Sequence, residues 1–284
     1  MSDKKNTEPA PEETKKPEET KKKKKKSALP FILIIIGCAA VLTFALIMII
    51  RTQLEYKHAR DVTENAVSSI VKTEPQPSES GDATVEQEEK FTYDHQAALA
   101  LNQDAKGLIY IPAIDQKLPI VQKLNDASNE YYLHRGFDGG YSRAGTVYID
   151  TNIEEGLDAR HVILYGHHMG DGTMFSDNDK YRGEDFYREP GNDTFYIYTP
   201  DSVREYRIFS VYTPSPTGDT YTINFSTDEE LREYANKWNS YSFYNTGVNL
   251  SDAKRVVTLS SCDIQTGYKL RLVVQGVEVS ETKN

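Results

Sequence analysis

A single cysteine stands where a reactive thiol would be expected. The chain has 284 residues and two cysteines, Cys38 and Cys262. Cys262 ends the apolar run VVTLSS and precedes the polar segment DIQTGY. A side chain at the end of a strand and beside a loop can be held rigidly while it remains open to a substrate. A buried structural cysteine would fit the same position, so Cys262 by itself is only a candidate nucleophile.

Two histidines stand in a comparable position. A cysteine nucleophile needs a thiolate and a partner that moves protons, and the chain has six histidines. His167 and His168 follow the apolar run VILYG and precede MGDGTMF, so both lie where a strand gives way to a loop. Two strand ends that each carry half of a Cys–His pair would meet at one rim of a barrel. Surface histidines in a turn would produce the same pattern.

Arg271 is the third candidate for chemistry. It lies nine positions after Cys262 and is the only arginine in the strand-like segment LRLVVQGVEV. If the two strands pair, the guanidinium stands beside the thiol, where its fixed charge can hold a substrate carbonyl or a tetrahedral oxyanion. An arginine that faces solvent from an edge strand is the alternative interpretation.

The elements that must position these residues are mainly β-strands. Eight runs rich in β-branched and aromatic residues recur between turn signals. The folded domain is expected to begin near Lys90, with a weakly amphipathic helix in FTYDHQAALALNQ. This pattern predicts a barrel or a sandwich. The runs are 107–111, 118–122, 145–150, 161–165, 194–199, 203–213, 255–260 and 269–279.

One clear helix interrupts the strands. The segment STDEE at 226–230 offers a capping residue followed by acidic residues that suit a helix N-terminus. Leu231, Tyr234, Ala235 and Trp238 then fall at i, i+3, i+4 and i+7, on one helical face. We expect this face to pack on the strands, with Trp238 in the core.

The N-terminal third predicts a membrane anchor. Residues 1–28 are rich in Lys and Glu and are expected to form a disordered cytoplasmic tail. Residues 29–50 form an uncharged apolar run long enough to cross a bilayer. A cleaved signal peptide has an apolar region of only about 7–15 residues, so a retained transmembrane helix is favoured. Residues 51–89 are expected to form a stalk and acidic linker, and residues 90–284 the extracellular domain.

Charge flanking the span predicts its orientation. Eight lysines precede it within residues 15–26, whereas only Arg51, Lys57 and Arg60 follow closely. Positive charge favours the inner side, so we expect a single-pass protein of the cell membrane with its N-terminus inside. Because Cys38 would lie in the membrane, Cys262 would be the only thiol outside. An unpaired cysteine in an exported domain is a candidate reactive thiol.

The overall charge argues against one class of partner. The formal net charge is −10, to which residues 1–26 contribute +4 and the remainder −14. Nucleic-acid binding requires a basic face, so no nucleic acid is expected. No His, Cys and carboxylate cluster has zinc-site spacing, and no EF-hand loop pattern is present. We therefore expect neither a metal nor another cofactor.

Together these residues resemble a known family. His167 in YGHHM, Cys262 in TLSSC and Arg271 in LRLVV are similar to the His, Cys and Arg of sortases, in the same chain order. The segments GTVYID, HVILYGHHMGDGTMFSDNDKY and VVTLSSC, with the helix DEELREYANKW, are similar to class B sortases in particular. The resemblance covers about residues 90–279.

The resemblance implies a fold and a site. The fold would be mainly β, an eight-stranded sortase-type β-barrel with N-terminal helices and one helix inserted before the cysteine-bearing strand. His167 would be the catalytic histidine, with His168 at a variable position. Four further residues fall where class B enzymes line the groove for the sorting signal. They are Tyr165, Ser260, Asn129 and Leu133.

The resemblance also implies an activity. A class B sortase is a cysteine transpeptidase that cleaves a C-terminal sorting motif of secreted proteins through a thioacyl intermediate. It transfers them to an amine of a peptidoglycan precursor, and the motif would be an NPQTN-like or LPXTG-like pentapeptide. One alternative is a sortase that polymerises pilins, whose acceptor is a lysine of another subunit. The other is a non-enzymatic, membrane-anchored β-domain that binds a ligand.

Overall fold

The computed structural model describes residues 29–73, 91–262, 265–267 and 269–284. The expected disordered tail, and the part of the expected linker at 74–89, lie outside the described residues. The chain divides into two compact units, one ending at Ile49 and the other spanning Ile50–Asn284.

The first unit holds the candidate membrane span. Helix α1 (Leu29–Ile70) begins there, as the apolar run predicts. By length and composition α1 is long and apolar enough to cross a membrane, since its most apolar stretch reaches a mean hydropathy of 3.0. None of that stretch is buried against protein. Uncovered apolar side chains of this kind are suited to a hydrocarbon environment.

The second unit is built around a closed barrel of eight strands, which confirms the predicted fold. All eight predicted runs form strands, joined in the order β10-β8-β7-β3-β4-β5-β6-β9. A short pair, β1 (Val71–Thr73) and β2 (Phe91–Tyr93), precedes them. The barrel strands are β3 (Ala105–Ile111), β4 (Gln116–Val121), β5 (Val147–Ile149), β6 (His161–Tyr165), β7 (Thr194–Tyr198), β8 (Ser202–Tyr212), β9 (Val256–Cys262) and β10 (Arg271–Lys283).

Helices α2 (His95–Leu101), α3 (Glu184–Arg188) and α4 (Asp228–Asn239) complete the unit. The predicted N-terminal signal of α4 is a capping box, in which Thr227 and Glu230 satisfy each other's backbone N–H groups. The face of α4 packs on β8 and β10, and its Leu231 is fully buried. Trp238, expected in the core, is half-buried and stacks on Tyr212 with 5.0 Å between ring centroids.

The last turns of α1 belong to the folded unit. The segment predicted as a stalk is helical to Ile70, and Ala59, Ala66 and Ile70 are buried in the same clusters as barrel residues. The Ile70 carbonyl accepts a hydrogen bond from Asp94 N at 2.7 Å, which ties the helix end to the start of α2. The compact unit therefore starts near residue 50 rather than at Lys90, because an apolar stripe on α1 covers one side of the barrel.

This packing predicts a large loss of stability for Ile70→Ala. Removing a fully buried isoleucine leaves a cavity, so the free energy of unfolding should fall by about 2–5 kcal/mol. Leu54→Ala, on the same helix but 60% exposed, should change it by less than about 0.5 kcal/mol. Urea unfolding of the full chain in detergent, followed by fluorescence of its single tryptophan, measures both variants. Equal stability of the two variants would contradict the packing.

Candidate active site

Two strand registers bring the predicted catalytic residues to one rim of the barrel. Strands β6 and β9 are parallel, and their last pair is Tyr165 with Ser260. Gly166 N continues the pairing by donating to the Ser260 carbonyl at 3.1 Å. His167 and Cys262 each lie two positions beyond that last pair. Because the strands run in the same direction, both residues emerge at the same end.

The second register sets Arg271 opposite the thiol. Strands β9 and β10 are antiparallel, and Cys262 pairs directly with Arg271. Directly opposed residues have Cβ atoms about 4.5–5.5 Å apart and side chains on the same face of the sheet. Arg271 N also donates to the Pro214 carbonyl at 3.0 Å, which joins the start of β10 to the loop after β8. The register therefore places Arg271 opposite Cys262, as the sequence predicted.

These strand ends line a surface cleft of about 240 Å³. Cys262 is partly exposed on it and forms no disulfide. The structure brings all seven sequence-predicted site residues into the lining of this cleft. They are His167, Cys262, Arg271, Tyr165, Ser260, Asn129 and Leu133.

The ring of His167 is fixed by its surroundings. Its Nε2 is 2.7 Å from the Leu133 carbonyl oxygen, which can only accept, so Nε2 carries the proton. In the neutral ring Nδ1 is then the nitrogen that can take a proton. The ring also stacks on His134, with 5.5 Å between centroids. His168 Nε2 instead lies 2.9 Å from Asp179 Oδ2, which supports His167 as the candidate catalytic histidine.

Electrostatics favour a neutral His167. Burial lowers the pKa of His167 because the charged ring is poorly solvated, and nearby His134 and Arg143 lower it further. The hydrogen bond to the Leu133 carbonyl opposes this shift without cancelling it. His167 therefore rests as a neutral base that is ready to accept a proton.

Asp150 organises one wall of the cleft, and sequence reasoning missed it. Its Oδ2 accepts from the Tyr165 hydroxyl and from Asn129 Nδ2, both at 3.0 Å. Its Oδ1 accepts from the backbone and side chain of Asn152 at 2.9 and 2.8 Å. Asn129 has a left-handed backbone (φ 54°), which asparagine tolerates better than most residues. A carboxylate at the end of the predicted strand GTVYID was the available signal.

Tyr221 also lines the cleft and was missed by sequence reasoning. It ends a short 3₁₀ turn, Asp219–Tyr221, in the long segment between β8 and α4. Its hydroxyl lies 3.0 Å from Ser260 Oγ, and its ring stacks on Tyr165 with 6.1 Å between centroids. Burial raises the pKa of Tyr221, so the hydroxyl stays protonated. No periodic pattern in the sequence singles out a turn tyrosine of this kind.

A larger cavity, about 490 Å³, lies on the other side of the loop after β8. Aromatic side chains including Tyr212, Trp238 and Tyr241 line it, and the described residues of its lining include no cysteine or histidine. The chemistry therefore belongs to the smaller cleft. Within the described part of the chain, no group of three or more His, Cys, Asp or Glu residues is placed to hold a metal ion.

Comparison with known proteins agrees with this geometry. The family model of the sortase domain matches residues 109–279. Sortase B of Listeria monocytogenes is 36% identical over 185 residues, which are 64% of this chain and 72% of that protein. Sortase B of Staphylococcus aureus is 25% identical over 183 residues, which are 63% of this chain and 73% of that protein.

Solved structures give the same result. A crystal structure of sortase B from Bacillus anthracis superimposes with a TM-score of 0.62 at 29% identity, covering 80% of this chain and 99% of that one. Sortase B of Clostridium perfringens gives 0.58 at 25% identity, covering 66% and 100%. The barrel and its strand-end cysteine thus define a cysteine transpeptidase. The chain belongs to the sortase family, and its relatives place it in class B.

The electrostatics of His167 predict a measurable titration. Its pKa should lie below the usual 6.5. His134→Gln should raise the pKa of His167, because the change removes a ring that repels the charged imidazole and keeps water away from it. Histidine-detected NMR titration of the full chain in detergent reports the midpoint. His95→Gln, in α2, is the matched control and should leave the midpoint unchanged; an unshifted midpoint in His134→Gln would refute this origin of the shift.

Proposed function

We propose that this class B sortase cleaves a C-terminal sorting motif of secreted proteins and joins them to an amine of a peptidoglycan precursor. The observation that carries the proposal is the meeting of Cys262, His167 and Arg271 at one open rim of the barrel. The reaction is an acyl transfer in two halves. The first half forms a thioester on Cys262, and the second passes the acyl group to the acceptor amine.

The three residues have distinct roles in the first half. Neutral His167 takes the thiol proton, and the Cys262 thiolate attacks the scissile carbonyl carbon, whose π electrons move onto oxygen. The guanidinium of Arg271 stabilises that oxyanion. When the oxyanion collapses, the C–N bond breaks and the His167 imidazolium protonates the departing amine.

The second half reverses these roles. The acceptor amine attacks the thioester carbonyl, and His167 removes its proton. The second oxyanion collapses with loss of the Cys262 thiolate, which leaves a new amide bond. General acid–base assistance of this type contributes about 10²–10⁴-fold to the rate.

The same cleft accommodates the sorting peptide. Asn129, Leu133, Tyr165 and Ser260 are the proposed substrate-binding residues. Asp150 supports this role, because it fixes both the Tyr165 hydroxyl and the Asn129 amide and so limits their freedom before a peptide binds. Ordered side chains reduce the conformational entropy lost on binding.

We further propose that residues 29–50 anchor the protein in the cell membrane, with the N-terminus inside and the catalytic domain outside. The apolar start of α1 and the lysines that precede it support this topology. Secreted substrates and a lipid-linked acceptor both reach the outer membrane face. Tethering the enzyme there raises the effective concentration of its substrates without adding contacts.

Turnover of sorting peptides by variants of Cys262 tests the proposal. Full-length protein in detergent, incubated with a library of fluorogenic pentapeptides, should cleave a subset of them, and Cys262→Ala should abolish cleavage because no other group forms the thioester. Cys38→Ala, which removes the other cysteine, should retain full activity. Retained cleavage by Cys262→Ala would rule out the proposed nucleophile.

The acceptor is tested in the same assay. Cleavage in the presence of a peptidoglycan stem-peptide amine should yield the ligated product by mass spectrometry. Ligation only to a lysine of a second protein would instead identify the pilin-polymerising alternative. Peptide binding without cleavage by the wild-type protein would favour the non-enzymatic alternative.

A further inference from the structure

A buried hydrogen-bond network joins four elements to the turn that carries Tyr221. Its members are His161 on β6, Tyr234 on α4, Thr258 on β9 and Gln275 on β10. His161, Thr258 and Gln275 are fully buried, and Tyr234 is 7% exposed. We call these four residues the turn clamp. Polar groups removed from water in this way are costly unless each finds a partner.

The turn clamp ends on two backbone carbonyls that flank Tyr221. The Tyr234 hydroxyl donates to the Thr220 carbonyl at 2.6 Å. His161 Nδ1 lies 2.6 Å from the Thr222 carbonyl, to which it donates. The two carbonyls belong to the residues immediately before and after Tyr221. The backbone on both sides of this tyrosine is therefore held from within the core.

The directions of the hydrogen bonds are mutually consistent. Because His161 donates from Nδ1, its Nε2 accepts from the Thr258 hydroxyl at 2.7 Å in the neutral ring. Gln275 Nε2 has two hydrogens and donates to the Thr258 and Tyr234 hydroxyls, each at 2.9 Å. Each hydroxyl thus accepts one hydrogen bond and donates another. Chains of this kind strengthen their members in a low-dielectric interior.

The neutral state of His161 matches its place in the turn clamp. Burial lowers the pKa of His161 to about 4, since the charged ring would be desolvated. The ring packs between Tyr234 and Phe225, with centroid distances of 4.8 and 6.0 Å. It stays neutral at the pH values at which an extracellular enzyme works, so Nε2 remains an acceptor there.

We propose that His161 and Tyr234 are positioning residues, which fix the turn at 220–222 and so hold Tyr221 against Ser260 in the cleft. The inference rests on the proposed function of the cleft. The turn clamp includes neither the thiol nor its proton partner, so it acts on binding of the sorting peptide rather than on the acyl transfer. Helix α4 therefore contacts the turn as well as the barrel, through the buried Tyr234 hydroxyl and through an exposed ion pair between Lys237 and Asp219.

Tyr234→Phe is the most direct test, because it removes one hydroxyl and keeps the ring that packs on His161. The change leaves the Thr220 carbonyl without its buried donor, and the turn should loosen. The KM for a cleaved pentapeptide should rise at least fivefold, while kcat stays within twofold. A change in kcat with unchanged KM would overturn the proposal.

A double-mutant cycle tests whether the rise in KM caused by Tyr234→Phe depends on the side chain of Tyr221. In a Tyr221→Ala background, Tyr234→Phe should have no further effect on KM, because the side chain that it positions is absent. Equal effects of Tyr234→Phe with and without Tyr221 would overturn the proposed route.

Tyr244→Phe is the matched control. Its hydroxyl is likewise buried and donates to a backbone carbonyl, that of Tyr181, at 2.7 Å. This change should lower stability as Tyr234→Phe does but leave KM unchanged. Similar KM values for the two variants would show that lost stability, rather than positioning, explains the effect.

Hydrogen exchange separates failure of this inference from failure of the proposed function. Amide exchange at 219–222 in the full chain requires no substrate, and it should accelerate in Tyr234→Phe but not in Tyr244→Phe. If the wild-type protein cleaves no sorting peptide, this readout still tests the turn clamp. Unchanged exchange in Tyr234→Phe would refute it.

Discussion

The site depends on the registers of three adjacent strands. Strand β9 pairs in parallel with β6, so Cys262 emerges at the same end of the barrel as His167. It pairs antiparallel with β10, which sets Cys262 opposite Arg271. A shift of either pairing by one residue would turn the affected side chains to the other face of the sheet. The hydrogen bonds of the closed barrel therefore specify which thiol, imidazole and guanidinium can act together.

The walls of the cleft need a second level of support, because some of their residues, including Asn129 and Tyr221, lie outside the strands. Asp150 holds Tyr165 and Asn129, and the turn at 219–221 presents Tyr221 to the same cleft. Asp150 is buried and both of its carboxylate oxygens accept hydrogen bonds, while the carbonyls on either side of Tyr221 are held by the buried side chains of Tyr234 and His161. This arrangement lets loops and turns hold side chains in fixed positions, which acyl transfer and peptide recognition both require.

Local patterns in the sequence predicted the eight strands, helix α4 and its cap, because these depend on side-chain alternation and capping residues. The strand-end positions of His167 and Cys262 came from the same patterns, whereas their roles came from resemblance. Asp150, Tyr221 and the buried face of α1 could not be found in this way. Their importance arises from tertiary contacts between segments far apart in the chain. The segment after the apolar run was expected to be a stalk, whereas its Ala59 and Ile70 are buried against the barrel unit.

Peptide mapping of the enzyme during turnover tests the central claim most directly. Wild-type protein quenched in acid with a cleaved pentapeptide should carry an adduct with the mass of the peptide's N-terminal fragment. Proteolysis and tandem mass spectrometry should place the adduct on Cys262, and hydroxylamine should remove it, as expected of a thioester. An adduct on another residue, or steady turnover with no covalent adduct, would contradict the assignment of Cys262 as the nucleophile.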